Sequence, residues 1–123
     1  MSKYINTFKF EVLWENEKTA DVDVGVSTVR VKRHVLHPVK QIFYADEITR
    51  YELGNILRSR CYDRRRPDID KILEFMGLQE YDVYKMCRFT HGKMAQDFIW
   101  FRYEGEDLRW EDLEPCGRPK RRE

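Results

Sequence analysis

The chain lacks most of the devices by which small proteins announce a chemistry. It has three cysteines, Cys61, Cys87 and Cys116, an odd number with no C-x-x-C spacing. That excludes a disulfide framework and fits a reducing compartment. No window approaches the ~18–20 consecutive apolar residues that span a bilayer, so no membrane role is expected. The opening M-S-K-Y-I-N-T-F has no apolar run behind its single basic residue, so no secretory signal is expected and a cytoplasmic protein is. Neither sign of charge dominates: 23 Lys plus Arg stand against 22 Asp plus Glu. This excludes a nucleic-acid or membrane binder that works by bulk charge and leaves only local patches to consider. There is no internal repeat, no low-complexity region and no Gly-rich phosphate loop.

What is present is a core and an ionic surface. Hydrophobic residues make up 41% of the 123, among them 7 Phe, 7 Tyr and 3 Trp, while 37% are charged. A chain of this size forms one domain, read here as residues 1–114, followed by a basic, flexible tail over 115–123 that holds Gly117, Pro119 and Lys120-Arg121-Arg122.

The hydrophobic period changes along the chain. Phe8, Phe10, Val12 and Trp14, then Ala20, Val22, Val24 and Val26, then Val29, Val31, Arg33 and Val35 recur at every second residue. Separated by turns at Asn16-Glu17 and Ser27-Thr28, they predict an antiparallel meander with one solvated face. Asp46 is a candidate cap for a helix from about Glu47 whose stripe is Leu53, Ile56, Leu57 and Cys61. Pro67 then restarts the chain into a helix carrying Ile69, Ile72, Leu73 and Met76 and closed by Gly77, and Asp82 opens a third with Val83, Met86, Cys87 and Thr90. Phe98–Tyr103 reads as a last strand, its unbroken apolar run predicting burial on both faces or a hydrophobic rim. Trp100 and Ile72 are expected in the core. The fold class is α+β: an N-terminal meander, two to three short helices and a C-terminal strand that returns to the sheet.

The order R-x-R…R-x-P, I-x-x-I-L-x-x-x-G-L, T-H-G-x-x-x-x-D-F-I-W and L-x-W-E-D-L, spread over Arg58 to Leu113, resembles the accessory region that precedes the kinase domain in HipA-like proteins of Gram-positive bacteria. It is also similar to short phage and integrative-element proteins of gut Clostridia. The resemblance implies a regulatory protein of a mobile genetic element and carries over no catalytic residue, because the family's catalysis belongs to a kinase domain this chain is too short to contain. Asp97-Phe98-Ile99 looks like a kinase D-F-G only superficially, with Ile in the third place and no H-R-D loop, and Asp97 reads as a cap before a strand.

Two charged segments are candidates for binding. Arg58, Arg60, Arg64, Arg65 and Arg66, with Tyr62 among them, could grip phosphates and stack on a base, or pair with Asp63, Asp68 and Asp70. Glu106, Asp107, Glu111 and Asp112 surround Trp110, and with the rim at Phe98 to Phe101 they suggest a surface for a protein partner. His34 and His37, three apart, and Cys87 and His91, four apart, are ligand types at ligand spacings, but nothing in the sequence brings the pairs together, so no metal is expected. No catalytic residue and no cofactor are assigned. The preferred function is non-enzymatic binding of a protein partner; the alternative is nucleic-acid binding, or inhibition of a host nucleoprotein defence complex, through the Arg58–Arg66 turn. The sequence sets no oligomeric state.

Overall fold

The computed structural model describes residues 7–120. The segment 1–6 read for a leader and the Arg121-Arg122 end of the tail lie outside the described residues. Strict apolar alternation yields three strands in succession, β1 (Phe8–Trp14), β2 (Glu17–Val24) and β3 (Thr28–Arg33). They pair antiparallel in sequence order, the meander that a period of two separated by short turns predicts. A three-residue strand, β4 (Glu47–Thr49), adds to β3, and β5 (Ile99–Tyr103) returns to pair antiparallel with β1. The order across the sheet is β4-β3-β2-β1-β5. Between β4 and β5 the chain forms α1 (Arg50–Arg58), α2 (Ile69–Met76) and α3 (Val83–Thr90), so the class is α+β.

One face of the sheet is apolar. Phe10, Val12, Val22, Val24, Val29 and Val31 are covered there by Leu53 and Leu57 of α1, Val83 and Cys87 of α3, and Phe43 and Ile48. The alternate residues face solvent as cross-strand charges. Lys9 stands opposite Asp23 and Asp23 opposite Arg30, while Glu11 lies between Asp21 and Arg102. A bulge interrupts this order. The register slips between Val12 and Leu13, leaving Thr19 as the extra residue, and its buried hydroxyl donates to the Val12 carbonyl at 3.1 Å. The slip turns Lys18 to the charged face, where its ammonium lies 3.1 Å from Glu11 and 3.3 Å from Asp21. Strand β5 breaks the alternation because it is buried on both faces, one of the two outcomes its apolar run predicts. Ile99, Phe101 and Tyr103 join the main core, while fully buried Trp100 packs with Leu13 and Leu113 in a second cluster bordered by Leu108 and Trp110.

Three expectations need correction. Asp46 does not cap a helix near Glu47: Ile48 is buried in the sheet core, so Glu47–Thr49 pairs as β4. The cap is Thr49. Its hydroxyl accepts the Glu52 N–H at 3.0 Å and the Glu52 carboxylate accepts the Thr49 N–H at 2.9 Å, a reciprocal capping box. Asp46 receives Arg33 instead. Helix α1 ends at Arg58, which leaves Cys61 beyond it. Helix α2 lies outside the main core, so Leu73 alone is buried and Ile72 is half-buried. Asp82 does cap α3, accepting from the Tyr84 and Lys85 N–H groups, and Gly77 closes α2 in the left-handed conformation.

The segment after Glu114 is not loose over its described part. Leu113 bridges to Pro119, Gly117 donates to the Glu114 carbonyl at 2.8 Å, and Lys120 donates to the Asp112 carbonyl at 2.7 Å. The loop presses so closely on α3 that a Cβ at Gly117 would lie 1.6 Å from the Thr90 oxygen, a separation only glycine allows. Arg118 then rests 5.5 Å from the Phe75 and Phe89 ring centres.

These placements set an order of costs. Trp100→Ala should destabilise the protein by about 3–5 kcal/mol in chemical denaturation, and Leu73→Ala should cost more than Ile72→Ala. The reverse order for the two α2 residues would refute the placement of that helix.

Candidate functional site

The T-H-G…D-F-I-W signature folds into a lock on the outer edge of β5. Three of that strand's N–H groups point away from β1. Ile99 donates to Asp97 Oδ1 at 3.0 Å, Phe101 to the His91 carbonyl at 2.7 Å, and Tyr103 to Glu106 Oε1 at 2.8 Å. Arg60, only 6% exposed, fastens the arrangement: its two terminal nitrogens reach both Asp97 oxygens at 3.0 and 2.9 Å, and Nε reaches the Gly92 carbonyl at 2.8 Å. Nη2 also donates to the Ile99 carbonyl at 3.1 Å. His91 ends α3 with φ 55, and its ring lies 2.9 Å from Glu106 Oε2 and 2.8 Å from the Gly117 carbonyl. Gly92 is required because a Cβ there would come within 2.4 Å of the Phe101 ring. Burial alone would raise the Asp97 and Glu106 carboxyls, but hydrogen bonds from Arg60 and the Ile99 N–H in one case, and from His91 and the Tyr103 N–H in the other, hold both below the usual carboxylate range.

The arginine turn divides accordingly. Arg60 is removed from the binding candidates, because its guanidinium is buried and committed to four acceptors. Arg58 donates to Asn55 Oδ1, Arg65 pairs with Asp63 at 3.2 Å and Arg66 with Asp68 at 2.9 Å. Arg64 lies over the Tyr81 ring and Arg66 over the Tyr62 ring. Arg65 keeps its side chain 90% exposed while it pairs. The His and Cys candidates go to separate partners: His34 to Asp21, His37 to the Val39 N–H, Cys87 to the Leu57 carbonyl, and His91 to the lock. Among the described residues no three His, Cys, Asp or Glu side chains converge as metal ligands would, and no helix is long and apolar enough to cross a membrane.

The charged sheet face forms a shallow depression of about 490 Å³, but its groups neutralise one another. Arg102 reaches Glu11 at 2.7 Å, while Lys18 bridges Glu11 and Asp21. Burial works to raise the Glu11 carboxyl, and the Arg102 and Lys18 bonds outweigh it and lower it.

A different kind of surface stands where β1 turns into β2. Trp14 ends β1, Phe98 precedes β5, and Trp110 opens a 3-10 turn (Trp110–Asp112). The three rings form a row: Trp14 and Phe98 meet edge to face at 5.3 Å, and Phe98 and Trp110 at 6.0 Å. Phe98 is 47% exposed in its centre, and both indoles are half-buried. Polar bonds fix the row from beneath. Glu15, in the turn with φ 52, donates its N–H to the Phe98 carbonyl at 2.9 Å and accepts the Trp100 indole N–H at 2.6 Å. The next residue, Asn16, accepts the Trp110 N–H at 2.9 Å and donates to Glu111. Lys40 lies 5.7 Å from the Trp14 ring centre and Lys93 4.9 Å from that of Trp110.

Of the residues singled out for partner binding, the structure thus brings Trp110 and Glu111 to this ridge. Asp112 caps the 3-10 turn by accepting the Arg109 N–H, and Asp107 is exposed in the preceding loop. Two belong elsewhere. Phe101 is fully buried against Phe10, so it is no part of a rim, and Glu106 is held in the lock. Trp14, Asn16 and Lys40 were not foreseen as members. Their one signal was a tryptophan at the very end of an alternating strand, beside a polar turn.

The lock makes acid sensitivity specific. Because Asp97 and Glu106 have lowered values in the folded protein, their stabilisation is complete above the unfolded carboxylate range of about 3.9–4.3 and is lost as pH falls through their folded values. The difference in melting midpoint between wild type and Glu106→Gln should therefore narrow on acidification below about pH 4. A constant difference would refute the assignment. Arg60→Ala should cost about 3–5 kcal/mol, and Arg60→Lys should not rescue it, because an ammonium cannot reproduce the guanidinium fork; Arg65→Ala should change little.

Comparison with protein-family models, with curated proteins and with solved structures finds no match for this chain, so the ridge and the lock stand on their own geometry.

Proposed function

We propose that the protein is a small, non-catalytic interaction module that binds a protein partner through the Trp14–Phe98–Trp110 ridge, in the regulatory setting of a mobile genetic element that the sequence resemblance suggests. The observation that carries this reading is Phe98, a large apolar ring 47% exposed between two tryptophans. Aromatic side chains of this kind concentrate interface energy, and a patch held in place by backbone and amide hydrogen bonds loses little freedom on binding. Glu111 and Glu17 supply a polar rim beside it. Nucleic-acid binding through Arg58–Arg66 has less support, because Arg60 is buried and Arg65 and Arg66 already face Asp63 and Asp68.

The ridge is tested by exchanging it without disturbing the core. Trp110→Ala combined with Phe98→Ala should lower affinity for the captured partner by about 2 kcal/mol or more, with the far-UV spectrum retained. Arg64, Arg65 and Arg66 changed together to Glu should leave capture intact. The opposite result, salt-sensitive oligonucleotide binding that the triple change abolishes, would replace this reading with the nucleic-acid one.

A further inference from the structure

We infer that the open cleft between Trp14 and Trp110 is a pocket for a cationic side chain of the partner, foremost an arginine, and that Lys40 occupies its Trp14 wall until that side chain arrives. The inference rests on the ridge being the binding face and adds the chemistry of what the ridge binds. The cleft has a volume of about 410 Å³; Trp14 and Trp110 wall it, the Glu15-Asn16 turn floors it, and Glu17, Glu111 and Lys40 rim it. Two carboxylates, of Glu17 and Glu111, therefore meet one ammonium across two indoles. That combination favours a cation: an aromatic face attracts positive charge and a neighbouring carboxylate fixes its position.

The chain's own lysine illustrates the chemistry. Lys40 Nζ lies 5.7 Å from the Trp14 ring centre and 3.0 Å from Glu17 Oε1, an ammonium held by one indole and one carboxylate. The contact is exchangeable, because the side chains of Lys40 and Glu17 are 33% and 50% exposed, and solvent-exposed pairs contribute little to stability. Glu111 is equally accessible, its side chain 60% exposed and paired at 3.1 Å with Arg109, itself open to water. Lys93 touches Trp110 but lines the neighbouring groove rather than the cleft, so it does not fill the space between the indoles. A guanidinium outcompetes Lys40 because its plane stacks on an indole while its fork engages a carboxylate, which an ammonium cannot do. A nucleic-acid base would also stack here, but the two carboxylates at the rim repel the phosphates that accompany it.

The test uses the full chain and a matched pair of short capped peptides, one with a central arginine and one with citrulline, its neutral near-isostere. Indole N–H signals of Trp14 and Trp110 are followed by NMR during titration. The arginine peptide should shift both signals saturably and the citrulline peptide should not. Lys40→Ala should tighten the arginine peptide several-fold, and Glu17→Gln or Glu111→Gln should weaken it several-fold. Equal shifts from the two peptides, weaker binding in Lys40→Ala, or no shift in either wild type or Lys40→Ala would overturn the inference. Loss of partner capture in the Trp110→Ala, Phe98→Ala protein alongside an inert arginine peptide would overturn the cationic pocket and leave the ridge standing; capture that survives those two changes would overturn both.

Discussion

The outer edge of β5 is the constraint on which the rest of the molecule depends. A strand added at the margin of a sheet turns every second N–H away from its neighbour, and each such group left buried without an acceptor costs roughly 1–3 kcal/mol. Here three N–H groups, of Ile99, Phe101 and Tyr103, find acceptors that are not strand partners: a carboxylate, a carbonyl and a second carboxylate. Supplying them forces further choices. Asp97 must be neutralised and oriented, which brings in Arg60 from the end of α1; the His91 carbonyl must face the strand, which requires its left-handed turn at the end of α3. Glu106 then links to His91, and His91 to Gly117. One unpaired edge thereby ties the ends of two helices to the C-terminal loop. The same bonds deny that edge to another chain, the purpose that bulges and charges serve on other sheets. The opposite margin is guarded more simply, by a strand of only three residues.

The lock and the ridge are two ends of one strand. Once β5 is pinned along β1, Phe98 must emerge beside Trp14, because their neighbours Ile99 and Trp14 are register partners. Trp100, buried on the second face with Leu13 and Leu113, carries the C-terminal segment across to them. Its indole N–H on the Glu15 carbonyl and Asn16 on the Trp110 backbone then join the hairpin tip to the 3-10 turn. The exposure of Phe98 is thus not a loop accident; it follows from core packing a residue or two away.

The sequence made the strands legible because one-sided burial imposes a period of two, and the α3 cap legible because Asp82 precedes an apolar run with nothing competing for it. Strand β4 was hidden: three residues give no period, and Asp46 looked as good a cap as Thr49, although the Thr49-x-x-Glu52 box was present in the text of the chain. Arg60 was hidden differently. Sited among four other arginines, it shared their apparent role, and only burial beside Asp97, distant in sequence, separates a staple from a solvated charge. The ridge was half legible. Trp110 amid acids was visible, but the partners that give it meaning, Trp14 and Asn16, lie more than ninety residues earlier, where no local pattern reports the meeting. The folded-back loop was missed because proline, glycine and basic residues describe a mobile end and a tight turn alike, and the deciding contact, Gly117 against Thr90, is tertiary.

The departures from regularity also gather at one place. Alternation in β1 and β2 holds until Thr19, where the bulge inserts a residue and shifts the pairing of everything beyond it. Bulges twist and bend the strand that carries them and re-aim the side chains that follow. In this sheet the bulged strand is β2, and the residues re-aimed are Lys18, which pairs with Leu13, and Glu17, which pairs with Trp14. Were Thr19 paired in regular alternation rather than bulged, Lys18 would face the apolar side and Glu17 the charged one, since a one-residue slip exchanges faces. Glu17 would then stand on the wrong side of the hairpin from Trp14, and Lys40 would have no carboxylate to meet over the indole. A single buried hydroxyl, hydrogen-bonded to the Val12 carbonyl, therefore both closes the polar defect that the bulge creates and sets which charges stand beside the aromatic row.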